Sequence, residues 1–522
     1  MSTENRFFHL APEICSLIAD YLPLYSTPST LLSLALTSRN ISDAVLPIIH
    51  TRLVLKNETE AICVLQKIAD DLSFGSGVRE LHVLSSLSVE IRKQKQSKDV
   101  IRRIEDVILK GHLPFIHTLG IHLAKGWFYD DDNEFKPIKG FGQLSKKFWV
   151  KLREKCPRLR TLAMKGFADD LRKSWMGKSG CFQVSGITDL TVHTLALKQS
   201  ACSKLLNYLP SLAPRLHTLN LKPNPETPTS LTPILKLDFP CLRSLSLGSF
   251  RDVDSEQTIP FFLRHPSIEY LNIASDPLSH RSWFYSEISV DFLPNLRYLT
   301  VNYTDALKFA PIIPRLVSLS IHNSVNLQIP FLLREVLPNG VPDLKSLVIG
   351  QTPKTFHAKQ KLNGSHRWYE ATDGTFHQED RYKAHKTVFD GFMHSIVRAA
   401  PNLEEIAFYC PFSLADCLSK MTEDLNGFTN LKRLYYSGPL HSSMEMVPNE
   451  ELEMFAKEAA ALVRAVPSLD SVTHAGISYL PYLTARTKRG EDDDVVGVDV
   501  GKGYGMVVGF DEEAFPWAPE DP

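Results

Sequence analysis

Pro214-Arg-Leu216-His-Thr-Leu219-Asn-Leu221 and Pro240-Cys-Leu242-Arg-Ser-Leu245-Ser-Leu247 are two copies of one phrase: proline, one residue, then apolar-x-x-apolar-x-apolar. The phrase opens again at Pro157, Pro266, Pro294, Pro314, Pro342, Pro401 and Pro467, and Asn430-Leu431-Lys-Arg-Leu434 is a copy without the proline. Weaker copies run Val78-Arg-Glu-Leu81-His-Val83, Ile116-His-Thr-Leu119-Gly-Ile121 and Val192-His-Thr-Leu195-Ala-Leu197. From Leu216 the first apolar positions fall at 242, 268, 296, 316 and 344, in steps of 26, 26, 28, 20 and 28 residues. The alternating end of the phrase has the period of a strand. A proline ahead of it stops the preceding segment and needs no ladder partner at a strand's first residue. One such unit cannot bury its own apolar face, so copies must stack.

A period in this range resembles that of leucine-rich repeats. The resemblance implies an α/β fold: an irregular repeat solenoid over residues 76–475 with a parallel β-sheet on its concave face. The spacing leaves room for insertions near 122–150 and 351–387. Residues on either side of the second apolar position face out of such a sheet. That places Tyr270 and Asn272, Tyr298 and Thr300, and Arg433 and Tyr435 on the recognition surface, as candidates for binding a protein target. Trp368 and Tyr369 in the second insertion join them, because insertions in repeat proteins often lie on the binding face. No arginine cluster stands among the concave positions, so a neutral protein surface is expected there rather than a phosphopeptide.

The N-terminus carries a second signal. His9-Leu-Ala-Pro-Glu-Ile-Cys-Ser-Leu-Ile-Ala-Asp-Tyr-Leu-Pro23 reads as a proline-started helix with Ile14, Leu17, Ile18 and Tyr21 on one face. Leu31 to Arg39 begins a second helix and Ile41 to Ile49 a third. Residues 7–50 resemble the F-box: Leu10, Pro12, Glu13, Ile14, Ile18, Leu22, Leu32, Leu36, Ser38 and Arg39 fall on matching positions. Ala11 and Ile41 depart from it, where the family often has proline and an aromatic. The resemblance implies docking on the Skp-family adaptor of a cullin–RING (SCF-type) ubiquitin ligase. Leu10, Pro12, Ile14, Ile18, Leu22, Leu32, Leu36 and Ile41 would form the adaptor surface, with the repeats behind holding a protein substrate. Residues 51–75 read as a helical linker. The other reading is a protein-interaction scaffold without a ligase role, its three helices a plain cap on the array.

Composition narrows the rest. A formal net charge of −1 gives no global case for nucleic acid or an anionic membrane. No run approaches the roughly 20 apolar residues of a spanning helix, and no secretory signal opens the chain. The eight cysteines show no Cys-x-x-Cys, so buried reduced thiols are expected, in a soluble chain of the cytoplasm or nucleus. No nucleophile elbow, phosphate loop or zinc-protease motif is present, and His357, His366, His377 and His385 match no zinc spacing. The sequence therefore predicts no enzyme, no metal and no cofactor. From Glu491 onward ten acidic residues face one basic, so residues 476–522 read as an acidic tail or loose cap.

Overall fold

The computed structural model describes residues 12–22, 27–56, 58–84, 91–122, 127–129, 135–137, 144–165, 176–193, 199–223, 230–248, 250, 255–273, 282–322, 340–349, 393–409, 422, 425–437, 449–474, 482–490 and 494–503. The chain forms two compact units that divide between Asp252 and Val253.

The first unit opens with α1 (Pro12–Tyr21), α2 (Thr27–Ala35) and α3 (Arg39–Thr51). Ser38 caps α3, its hydroxyl accepting from the Ile41 N–H at 3.3 Å, which satisfies one of the donors a helix start leaves orphaned. The helices close on Cys15, Ala19, Leu31, Ala35, Ile41, Ala44 and Val45. Four of these seven are Ala or Cys, so the helices approach closely on small side chains. Arg52 ties this bundle to the sheet that follows: it donates to the Ala19 carbonyl at 2.6 Å and pairs with Glu80 at 3.2 Å.

That sheet is parallel. Its strands are β1 (Arg52–Leu55), β2 (Glu80–Leu84), β3 (Thr118–His122), β6 (Thr161–Lys165), β7 (Asp189–His193), β8 (Thr218–Lys222) and β9 (Ser244–Leu247). A separate antiparallel pair, β4 (Trp127–Tyr129) and β5 (Phe135–Pro137), falls between β3 and β6. Register follows the phrase: Leu81, Leu119, Leu162, Leu190, Leu219 and Leu245 stand side by side, each at most 1% exposed. Such a row is what stacking of insufficient single repeats requires.

Two boundaries differ from the sequence reading. The repeat between Leu162 and Leu219 runs Ile187-Thr-Asp-Leu190-Thr-Val192, not through Leu195. Both versions satisfy the pattern; the register pairs Leu190 with Leu162 and Leu219. Residues 51–75 are also more than a linker. They supply β1 as well as helices Glu58–Asp70 and Leu72–Gly77, so the sheet begins at Arg52.

The second unit repeats the architecture with β10 (Tyr270–Asn272), β11 (Tyr298–Asn302), β12 (Ser318–His322), β13 (Ser346–Ile349), β14 (Glu405–Tyr409), β15 (Arg433–Ser437) and β16 (Ser471–His474), all parallel. Leu271, Leu299, Leu319, Leu347, Ile406, Leu434 and Val472 form its buried row. Each unit is thus a parallel α/β repeat array. At the end of the second unit, within the residues read as an acidic tail or loose cap, two further strands pair with the sheet. β17 (Tyr482–Arg489) and β18 (Val495–Gly503) add antiparallel to β16, and helix Asn449–Ala465 packs against them. The acidic residues there do not prevent pairing, because Val495, Val496, Val498 and Val500 supply strand propensity between them.

One buried carboxylate organises this unit. Asp305 accepts from the N–H groups of Trp283 (2.8 Å) and Phe284 (3.3 Å) and from the Ser282 hydroxyl. It thereby fixes the turn that inserts both aromatics into the core, where Phe284 meets Phe292 and Phe309 edge-on. Burial outweighs these bonds and pushes its pKa up from 3.8 to about 6. The sign follows: between those values the folded chain holds a proton the unfolded chain has lost. The group therefore favours folding below about pH 4, and that contribution is lost as pH rises through about 6. Relative to an Asp305→Asn variant, the native chain should lose about 3 kcal/mol across this window. Urea unfolding of both proteins at pH 4 and pH 7 checks it; parallel pH profiles would refute the assignment.

Of the described cysteines, Cys15, Cys156, Cys181 and Cys202 are buried, whereas Cys63 and Cys241 are exposed, against the expectation that all are packed away. Burial pushes the Cys156 and Cys181 thiols up to about 12, which makes them poor nucleophiles.

Candidate functional site

Two surfaces carry the residues singled out in the sequence. The first lies on α1–α3. Helix α1 turns its small residues, Cys15 and Ala19, inward and leaves Ile14 (45% exposed) and Leu17 (56%) in solvent. Helix α2 buries Leu31 and Ala35 and exposes Leu32 (52%), and Leu36 just beyond it is 79% exposed. A unit of this size gains nothing by presenting four large apolar side chains to water, so this face is built to be covered.

Of the expected adaptor residues, Ile14, Leu32 and Leu36 are exposed, and Ile18 and Leu22 are half-buried. Ile41 is a correction: it is 2% exposed and packs inside the bundle, because the Ser38 cap directs the first turn of α3 inward. Leu10 and the Pro12 side chain lie outside the described residues. Leu17, which the motif did not supply, belongs to the exposed set.

The second surface is the open face of the repeat sheets. Tyr270 and Tyr298 are direct neighbours in register, half-buried, with ring centroids 6.4 Å apart and planes tilted by 35°. Thr300 beside them is half-buried. Asn272 and Tyr435 are corrections: at 7% and 8% exposure neither stands free. Tyr435 packs in one row with Val348 and Ala407, its partners across β13–β15, and the small alanine leaves space for the ring. Arg433 is engaged too, in an ion pair with the buried Glu405 of the adjacent strand. Trp368 and Tyr369 lie outside the described residues. Since Tyr270 and Tyr298 are partly packed, Tyr298→Ala should lower the free energy of unfolding by about 1 kcal/mol, read from the urea midpoint. A change of zero would mean that the rings do not support each other.

The sequence reading overlooked a third feature. The residues that immediately precede the strands of the first unit form a row: Arg79, His117, Arg160, Thr188, His217 and Arg243. Arg79 donates its N–H to the Thr51 carbonyl, and each later residue donates to the carbonyl of the one before it, at 2.8–2.9 Å. Three arginines and two histidines thus stand along one edge of the array. The signal was the residue directly after the first apolar position of each phrase, legible once the repeats are aligned.

No protein-family pattern matches the sequence, and no curated protein matches it. Among solved structures, the leucine-rich-repeat-containing protein LegL7 from Legionella pneumophila is similar at 14% identity, over 59% of this chain and 83% of that one, with a TM-score of 0.31. The Rad7–Elc1 complex of yeast is similar at 10% identity, over 86% of this chain and 85% of that one, with a TM-score of 0.32. Among the described residues no helix is long and apolar enough to cross a membrane, and no group of three His, Cys, Asp or Glu could hold a metal ion.

Proposed function

We propose that this chain is a non-catalytic substrate receptor of a cullin–RING ubiquitin ligase, whose three N-terminal helices bind the Skp-family adaptor and whose repeats bind a protein substrate. The observation that supports this most is the division of α1 and α2 into a small-residue core and a large-residue surface. Ile14, Leu17, Leu32 and Leu36 are exposed while Cys15, Ala19, Leu31 and Ala35 are buried. A mere cap on a repeat array would carry a polar outer face. The resemblance of residues 7–50 to the F-box implies adaptor binding by this same segment. Parallel repeat sheets behind it present Tyr270, Tyr298 and hydroxyl-bearing positions, a surface suited to a protein partner rather than to catalysis.

The test is co-expression of the full chain with a Skp-family adaptor, followed by capture on a tag carried by the chain. Stoichiometric co-purification is the expected result. Failure of the folded chain to retain any adaptor would leave it a leucine-rich-repeat scaffold without a ligase role.

A further inference from the structure

The first unit holds an open cavity of about 640 Å³ in which four arginines and a histidine stand among apolar walls. Arg79, His117 and Arg160, from the row ahead of the strands, line it together with the turn residues Arg158 and Arg215 and with Phe115. No aspartate or glutamate does. Phe115 lies between two guanidinium groups, Arg79 at 5.2 Å and Arg158 at 4.8 Å from its ring centre. Arg79 is held further by donating to the carbonyls of Ser76 (2.7 Å), Gly77 (3.1 Å) and Val78 (3.3 Å). Arg158, Arg160 and Arg215 have no carboxylate partner among the described residues. Nearby carboxylates have other partners: Glu80 pairs with Arg52 and His82, Glu154 pairs with Lys151, and Asp189 accepts from the hydroxyls of Thr188 and Thr161.

Four guanidinium groups line this cavity and no carboxylate does, an arrangement that favours an anion there. We propose that this cavity is a phosphate-monoester site and that its ligand is a phosphorylated side chain on a segment of a protein partner. Arginine presents a planar fork that grips phosphate through paired hydrogen bonds. A phosphate monoester offers three acceptor oxygens and close to two negative charges at neutral pH, enough to engage several forks at once; a carboxylate offers two oxygens and one charge. Sites for free small molecules enclose most of the ligand behind apolar walls. Here Phe115, Arg158, Arg160 and Arg215 are all exposed, so the cavity catches an end group and leaves whatever carries it outside. The strands that start at this edge continue with Thr161, Thr218 and Asn220 on their open face, hydrogen-bonding groups along which an attached peptide can lie. The proposal goes beyond the adaptor reading and stands without it.

Fluorescence anisotropy on the full chain tests it, with a labelled pool of peptides randomised around a fixed phosphoserine and the same pool carrying serine. The phosphorylated pool should bind at least about tenfold more tightly. Arg160→Ala with Arg215→Ala should erase the difference, and the paired lysine substitutions should restore part of it. Arg158→Glu, a separate exposed position, should weaken the phosphorylated pool alone. Thermal melts should be unchanged in all variants, because these side chains stand in solvent. Equal binding of the two pools would overturn the proposal, as would a preference that survives loss of both arginines. Tripolyphosphate binding at this site while the phosphorylated pool fails would also overturn it, in favour of a small polyanion.

Discussion

Leu32→Gln combined with Leu36→Gln is expected to abolish capture of a Skp-family adaptor while the chain melts where it did before. Both side chains are more than half exposed in the free protein, so their removal takes nothing from the bundle's core. In a complex the same side chains would be fully desolvated, and well-packed apolar anchors of that kind contribute about 2 kcal/mol each. Losing both costs about 4 kcal/mol, close to a thousandfold in affinity. Glutamine has nearly the helix propensity of leucine, so α2 itself is spared. The reverse experiment is Ala19→Leu, which leaves the exposed face intact but overfills the small-residue core and should destabilise the bundle. Retention of adaptor by the double glutamine variant would remove the ligase reading.

The same helices show where sequence reasoning stopped. Helical periodicity places Ile14, Leu17, Ile18 and Tyr21 on one apolar face but does not say which way it turns; only the F-box resemblance turned Ile14 and Ile18 outward, toward an adaptor. In the fold the inward positions are Cys15 and Ala19, because a three-helix unit this small packs tightly on short side chains. Periodicity finds the faces; the sizes of the side chains decide which one is buried. The repeat phrase was legible for a related reason. Its three apolar positions must all be interior whatever the loops do, so the row from Leu81 to Leu245 follows from the pattern at every repeat but one. The repeat at Leu190 was misplaced by five residues since two overlapping segments fit one pattern, and only pairing with β6 and β8 chooses between them. The arginine-lined cavity was out of reach: Arg79, Arg158 and Arg215 are far apart in sequence and meet only through stacking.

Arg433 marks the boundary between a binding residue and a structural one. Its position on the open face recommended it as a target contact, yet it pairs with Glu405, whose side chain is 3% exposed. Arg433→Ala should therefore destabilise the second unit by about 4 kcal/mol, because it strands a buried charge. The pair itself adds far less than that, since both ions were desolvated to form it. It follows that Glu405→Gln introduced into the Arg433→Ala background should recover a large part of the loss, as the stranded charge is gone. Chemical unfolding of the two single variants and the double variant separates these effects. If Arg433→Ala unfolds like the native protein but fails to hold a target, the residue contacts the partner and Glu405 tolerates its isolation. If the single variant is destabilised and the double is rescued, the arginine is there for Glu405. In that case a loss of target binding in Arg433→Ala reports a disordered β14–β15 pair rather than a missing contact.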